Sequence, residues 1–318
     1  MKGDLYIPEE VKQDIQEYLS KKYLVALEKF YHYETEDDLS AHLGGKFETE
    51  EDKKVLVTRD GVSDFWKWGI NFVKFKDKAY GATEKKLGAD GIFELIIGNN
   101  SWRKRKSLLF QAKLNWENDP KLIGQAIKLT TWREAAFILN FTSNKFEAID
   151  LDTILESQGK RSNIKENIIT LDKYIGTTFL DCLVGNINLR YDAVSKKLVW
   201  ETAKRDTKGK WIWETVATKF PVRHRTTIQI TAPNTKYDQI KFDKEIKNSE
   251  IHDYRMYAKK EQMLSLNDDY NDAELKKAKA SKLLIYHPDK FPNISKHEEY
   301  ELLKQIINRR TQEIIEIE

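Results

Sequence analysis

Apolar residues recur at helical spacing over residues 8–30, where Val11, Ile15, Leu19, Leu24, Leu27 and Phe30 share one side and a proline occupies the first turn. That spacing predicts an amphipathic helix. A second helix is predicted over 36–43 (EDDLSAHL), opened by Glu36, Asp37 and Asp38 and closed by Gly44-Gly45, which can adopt the left-handed conformations that stop a helix. After a segment rich in Trp and Phe, two strand-like runs, GADGIFELIIG at 88–98 and LLFQAKLNW at 108–116, flank the polar stretch NNSWRKRKS. They predict a β-hairpin. Residues 118–136 begin with Asn118, Asp119 and Pro120, a helix-start signal, and FILNF at 137–141 reads as a further strand. Strand, strand, helix, strand makes an α/β core. Residues 176–232 read as mainly β, with Cys182 inside the strand-like FLDCLVG, and extend the first domain.

The pattern changes near residues 250–260, after a polar stretch, and divides the chain into 1–255 and 256–318. Residues 272–286 form a helical pattern with Leu275, Ala278, Leu283 and Leu284 apolar and Lys276, Lys277, Lys279 and Lys282 as a basic face. Pro288 stops it, and a second amphipathic helix follows to the end of the chain. Two such helices joined by a short loop should pair antiparallel.

Composition narrows the classes. No run in the 318 residues approaches the roughly 18 consecutive apolar positions of a spanning helix, and the mean hydropathy is -0.66. We therefore expect no membrane contact. The single cysteine and an acidic N-terminal segment point to a cytoplasmic chain without a disulfide or an export signal. Net charge is only +3, but residues 196–260 carry about 16 Lys/Arg against about 8 Asp/Glu, which suits a polyanionic partner such as DNA. A solvated basic surface gives the same count.

Candidate chemistry centres on Asp90, Gln111 and Lys113. Residues two apart on a strand face the same way, so Gln111 and Lys113 project together while Phe110, Ala112 and Leu114 take the other face. A buried lysine needs a compensating partner, and Asp90 at the mouth of the preceding strand is the one expected. An aspartate with neighbouring oxygen ligands can hold Mg²⁺ or Mn²⁺, which lowers the pKa of bound water, while a lysine stabilises developing charge on a phosphodiester.

GAD at 88–90 followed by QAK at 111–113 resembles the PD-(D/E)xK nuclease superfamily in its D…QxK variant, as in Mrr-like restriction enzymes and related defence nucleases. The resemblance implies a restriction-endonuclease-like mixed sheet flanked by helices, with its core at about 30–145 and a β-rich extension at about 170–232. It implies Asp90, Gln111 and the Ala112 carbonyl as metal ligands, Lys113 as the catalytic lysine, Glu36 as the acidic residue of the upstream helix, and Gln125 as the glutamine of the helix after the lysine strand. Arg103, Lys104, Arg105 and Lys106, at the hairpin turn beside Trp102, are the expected phosphate contacts near that cleft. Glu94 shares a strand face with Asp90 but is expected to do something else. His224, like most histidines here, has no spacing that suggests a ligand. Trp200, Trp211 and Trp213 read as sheet-packing residues.

The segment MLSLNDDYNDAELKKAKASKLLIYHPDKFPN with KQIINRRTQEI resembles a J domain, the Hsp70-binding module of DnaJ-type cochaperones, over about 261–318. This implies a small all-α helical hairpin whose His287, Pro288, Asp289 and Lys290, with Lys276 and Lys277, engage a DnaK-type Hsp70 or a defence-system partner subunit. The sequence thus leads to a metal-dependent DNA endonuclease with a J-like partner-binding module, suited to bacterial anti-phage defence. Duplex cutting with one such site per chain favours a homo-oligomer or a larger complex. An RNA nuclease, or a non-cleaving Hsp70 cochaperone adaptor that binds nucleic acid or a protein client, is the alternative.

Overall fold

The computed structural model describes residues 7–59, 61–75, 88–100, 103–117, 119–129, 132, 135–164, 168–187, 189–192, 194–195, 197–205, 211–217, 222–234, 271–274, 276, 277 and 280. Among them the chain is mixed α/β. An eight-stranded mixed sheet is flanked by helices, and a three-stranded sheet packs on one side.

Helix α1 (Glu9–Glu28) follows Pro8 and buries Val11, Ile15, Leu19, Tyr23 and Ala26, one residue per turn. Leu24, expected on that stripe, is 58% exposed, and Tyr23 takes its place. Helix α2 (Glu36–Phe47) starts from a Thr35 cap, whose Oγ1 accepts the Asp38 N–H at 3.1 Å. It does not stop at Gly44-Gly45. A Cβ on Gly44 would lie 2.2 Å from the Phe72 ring, so that glycine lets the helix approach the sheet and does not end it.

The main sheet has the order β1-β2-β11-β3-β4-β5-β6-β7. Strands β1 (Lys53–Arg59) and β2 (Val62–Lys74) form a hairpin within and beside the Trp/Phe-rich segment. Strands β3 (Gly91–Gly98) and β4 (Arg103–Leu114) form the expected hairpin. Helix α3 covers only Leu122–Leu129, shorter than expected, and β5 (Ala136–Phe141) returns parallel to β4. Strands β6 (Phe146–Asp150) and β7 (Ile169–Thr170) complete that side, with α4 (Leu151–Glu156) between them.

The stretch 176–183 is not a strand. The short helix α5 (Leu171–Lys173) runs into a π-helical turn at Tyr174–Phe179, and Cys182 lies half-buried in the following turn with φ 60°. Strands β8 (Leu189–Asp192), β9 (Lys197–Arg205) and β10 (Trp211–Ala217) form the small sheet. Strand β11 (His224–Thr231) belongs to the main sheet itself. It inserts between β2 and β3, antiparallel to the first and parallel to the second.

The main sheet separates two apolar cores. α1, α2 and the π-turn cover one face, where Leu108, Phe110 and Ala112 point, and α3, α4 and β8–β9 cover the other, where Leu109 points. Glu94 joins the layers: 1% exposed, it accepts from the Tyr191 N–H at 2.8 Å and pairs with Arg225. Trp200 packs edge-on against Trp132, as a sheet-packing residue should. Among the described residues no helix is long and apolar enough to cross a membrane. In the C-terminal segment a helix starts at Asp272, capped by Asn271, and Lys276 and Lys277 are exposed on it. His287, Pro288, Asp289, Lys290 and the expected hairpin lie outside the described residues.

Candidate active site

The strand alternation read from QAK holds. Gln111 and Lys113 are 0% and 4% exposed on one face of β4, with Ala112 on the other. β3 begins at Gly91, opposite Phe110, so the edge of β4 beyond Phe110 is free of strand pairing on that side. Asp90 fills the gap. Its N–H donates to the Phe110 carbonyl at 2.8 Å, and its own carbonyl accepts from Arg223 N at 2.9 Å and His224 N at 3.2 Å. Asp90 is thereby clamped between β4 and β11.

The Asp90 carboxylate takes two donors from β4: the Ala112 N–H at 2.9 Å and the Gln111 side-chain amide. Because N–H and C=O of one strand residue point to the same edge, the Ala112 carbonyl also faces Asp90. Gly88, with φ +70°, makes this approach possible. A Cβ there would meet the Gln125 carbonyl at 2.9 Å, so the glycine of GAD seats α3 against the strand mouth. Gln125 is accordingly buried beside the site, and its Oε1 has no hydrogen-bond partner.

On the other face, the first turn of α2 closes a cleft of about 330 Å³ lined by Glu36, Asp37, Ser40, Asp90, Ala112, Leu114, Arg223 and His224, among others. Glu36 Oε1 accepts the Leu114 N–H at 3.0 Å and so pins the end of the lysine strand to α2. Thus Glu36, Asp90, Gln111 and Ala112 come together, with Gln125 behind them.

Two expectations about charge are corrected. Lys113 pairs not with Asp90 but with Asp119, its Nζ 2.7 Å from Asp119 Oδ2, in the loop leading to α3. Burial alone would raise the Asp119 pKa, but the Lys113 ammonium holds the carboxyl below its usual range. Arg103, Lys104, Arg105 and Lys106 are not beside the cleft. They occupy the first residues of β4, and ten residues of strand, about 34 Å, separate Arg103 from Lys113. Lys106 cannot meet phosphate at all: it is 2% exposed, donates to the Phe179 carbonyl and lies over the Phe179 ring.

His224 is the residue the spacing did not reveal. It is 1% exposed, and its Nε2 lies 2.9 Å from Asp37 Oδ1, while Lys74 Nζ holds the other Asp37 oxygen at 2.7 Å. Burial pushes the His224 pKa down against the pull of Asp37, so the ring is held neutral with its proton on Nε2. Its Nδ1 is then a buried acceptor without a partner, and Ser40 Oγ in the same cleft has none either. Burial works against the Asp37 charge, yet Lys74 and His224 hold that carboxyl below its normal range. Only the non-local pairing of β11 with β2 and β3 brings His224 here, so no local signal could have found it.

Whether these groups suit a metal is a question of donor type. Among the described residues no cluster of three or more His, Cys, Asp or Glu side chains could hold one. What does converge is one carboxylate, one amide and one backbone carbonyl. The Gln111 amide nitrogen donates to both the Asp90 carboxylate and the Ala112 carbonyl, the latter at 3.2 Å, while its Oε1 is buried without a hydrogen-bond partner and is the oxygen a cation would use. Oxygen donors of this kind suit Mg²⁺, which keeps several of its waters.

The chain matches no protein-family model, no curated protein and no solved structure.

Proposed function

We propose that the chain is a metal-dependent DNA endonuclease with a PD-(D/E)xK-type site in the D…QxK form, serving in bacterial anti-phage defence and carrying a C-terminal J-like module for Hsp70 or another partner. The observation that carries this reading is the clamp on Asp90. Its carboxylate, the Gln111 side-chain amide and the Ala112 carbonyl meet at a strand end, beside a cleft walled by Glu36. Asp90, Gln111 and Ala112 would hold Mg²⁺ or Mn²⁺, which supplies a bound water of lowered pKa. Glu36 fixes the end of β4 through Leu114 N–H, and Asp119 holds Lys113 on the β4 face away from the cleft, where it would stabilise charge on a phosphate bound at the strand end.

The test is cleavage of supercoiled plasmid by wild type and Lys113→Ala with Mg²⁺, Mn²⁺ or EDTA. Cutting by wild type alone, abolished by EDTA, is the expected result. Intact plasmid with every metal would overturn the reading. RNA offered in parallel separates the two nuclease substrates.

One observation favours a second reading. Lys113 is already neutralised by Asp119, and β4 supplies no acidic ligand beside Asp90. A non-cleaving adaptor that binds nucleic acid or a protein client and recruits Hsp70 fits this arrangement. Asp90→Ala would then be silent, whereas His287→Gln would abolish function.

A further inference from the structure

Arg103 and Arg105, two of the residues expected to hold phosphate at the cleft, belong to a different surface. Directly opposite residues in a sheet share a face. The register carries one transverse row from β1 to β4: Lys54 opposite Lys67, Lys67 opposite Thr231, Thr231 opposite Gly98, and Gly98 opposite Arg103. Lys54, Lys67, Thr231 and Arg103 are exposed. Four strand spacings make the row about 19 Å long. The next row, toward the cleft, holds Gln229, Ile96 and Arg105, with Gln229 exposed and Arg105 half-buried. On the outer side, Leu56 opposite Phe65 stands 52% and 60% exposed.

Three features of this face suit a partner outside the described residues. Lys54 directly opposite Lys67 is a like-charge pair, which a sheet tolerates at a cost. None of Lys54, Lys67, Arg103 and Arg105 is in an ion pair among the described residues, and the Asp52 carboxylate lies beside Gly69 on this face. An exposed phenyl ring beside a row of cations is the combination that holds a nucleic-acid strand by base stacking and phosphate neutralisation together. A duplex hides the faces of its bases, so Phe65 gains nothing from one.

We propose that this open sheet face, with Lys54, Lys67, Arg103 and Arg105 around Phe65, binds a single-stranded nucleic-acid segment. The site is separate from the cleft, about seven residues of β2, or 23 Å, from Lys74 at the cleft end. It therefore stands whether or not the chain cuts DNA.

The test uses the full chain in EDTA with a fluorescent oligo(dT) and a duplex of equal length, read by anisotropy across salt concentrations. Four neutralised phosphates predict a slope of log affinity against log salt of about -3 for the single strand. Lys54→Glu with Lys67→Glu should lower affinity at least about tenfold and roughly halve that slope. Phe65→Ala should weaken the single strand about tenfold and leave the duplex within about twofold. The same charge change at exposed Lys21 on α1 and exposed Lys29 at its C-terminal cap is the control, and unchanged melting temperatures certify the fold. Wild-type affinity in the Lys54/Lys67 variant would overturn the proposal. So would a preference for duplex that Phe65→Ala does not alter, or a wild-type dimer that Phe65→Asp dissociates, since a second copy would then cover the face.

Discussion

Replacing Asp119 by Asn removes the one charge that faces the buried Lys113 ammonium across 2.7 Å. At an effective dielectric of about 20, the lost attraction is about 6 kcal/mol gross. The Lys113 side chain is only 5% exposed, so its charge stays out of water, but Asp119 is 22% exposed and water can enter in its place. The net cost therefore falls at the lower end of the range for a broken buried pair, about 3 kcal/mol. Asn keeps the oxygen that accepts the Lys121 N–H at 2.8 Å, so the turn into α3 survives and does not confuse the result. Lys113→Met removes the charge and fills the slot, and should cost under about 1 kcal/mol. The double variant should then recover most of the loss, a coupling of about 2 kcal/mol. Urea unfolding followed by tryptophan fluorescence measures all four proteins, with buried Trp116 as a nearby reporter. A cost below about 0.5 kcal/mol for Asp119→Asn, with additive behaviour in the double variant, would refute the pairing. The sign with pH follows from the depressed Asp119 carboxyl: its contribution is full above about pH 4 and is lost as pH falls through the lower folded value. Because Lys113→Met should remain folded, its loss of plasmid cleavage would report chemistry and not unfolding.

Two adjacent glycines give predictions of opposite sign. Gly44→Ala drives a methyl into the Phe72 ring and should destabilise by about 1–2 kcal/mol after its helix-propensity gain, whereas Gly45→Ala meets nothing within 4 Å and should stabilise by up to about 1 kcal/mol in the same urea assay. His224, held neutral by burial, binds fewer protons folded than unfolded below about pH 6.5, so stability should fall as pH drops from there toward its lowered folded value. His224→Gln should flatten that slope, measured as melting temperature between pH 5 and 7; an unchanged slope would remove His224 as its source.

Local chemistry was enough for the elements whose interactions are near in sequence. The one-per-turn burial of α1, the Thr35 cap of α2, the β3–β4 hairpin and the shared face of Gln111 and Lys113 all follow from side-chain periods of 3.6 and 2 and from capping hydrogen bonds three residues apart. So did the clustering of Asp90 with Gln111, since a hairpin sets its own register. Everything that depended on which strands are neighbours was beyond that reach, because alternation tells a strand its faces but not its partners. β11 lies over a hundred residues from β2 and β3, yet its insertion between them clamps Asp90, delivers His224 to Asp37 and continues the row from Lys67 toward Arg103. The use of Gly44 was decided by the Phe72 ring packed on it and not by a helix ending, and the partner of Lys113 by the loop into α3 and not by the preceding strand. Charge pairing and close packing act through space, so the sequence by itself determined the pieces and their faces, and only the tertiary structure decided which of them meet.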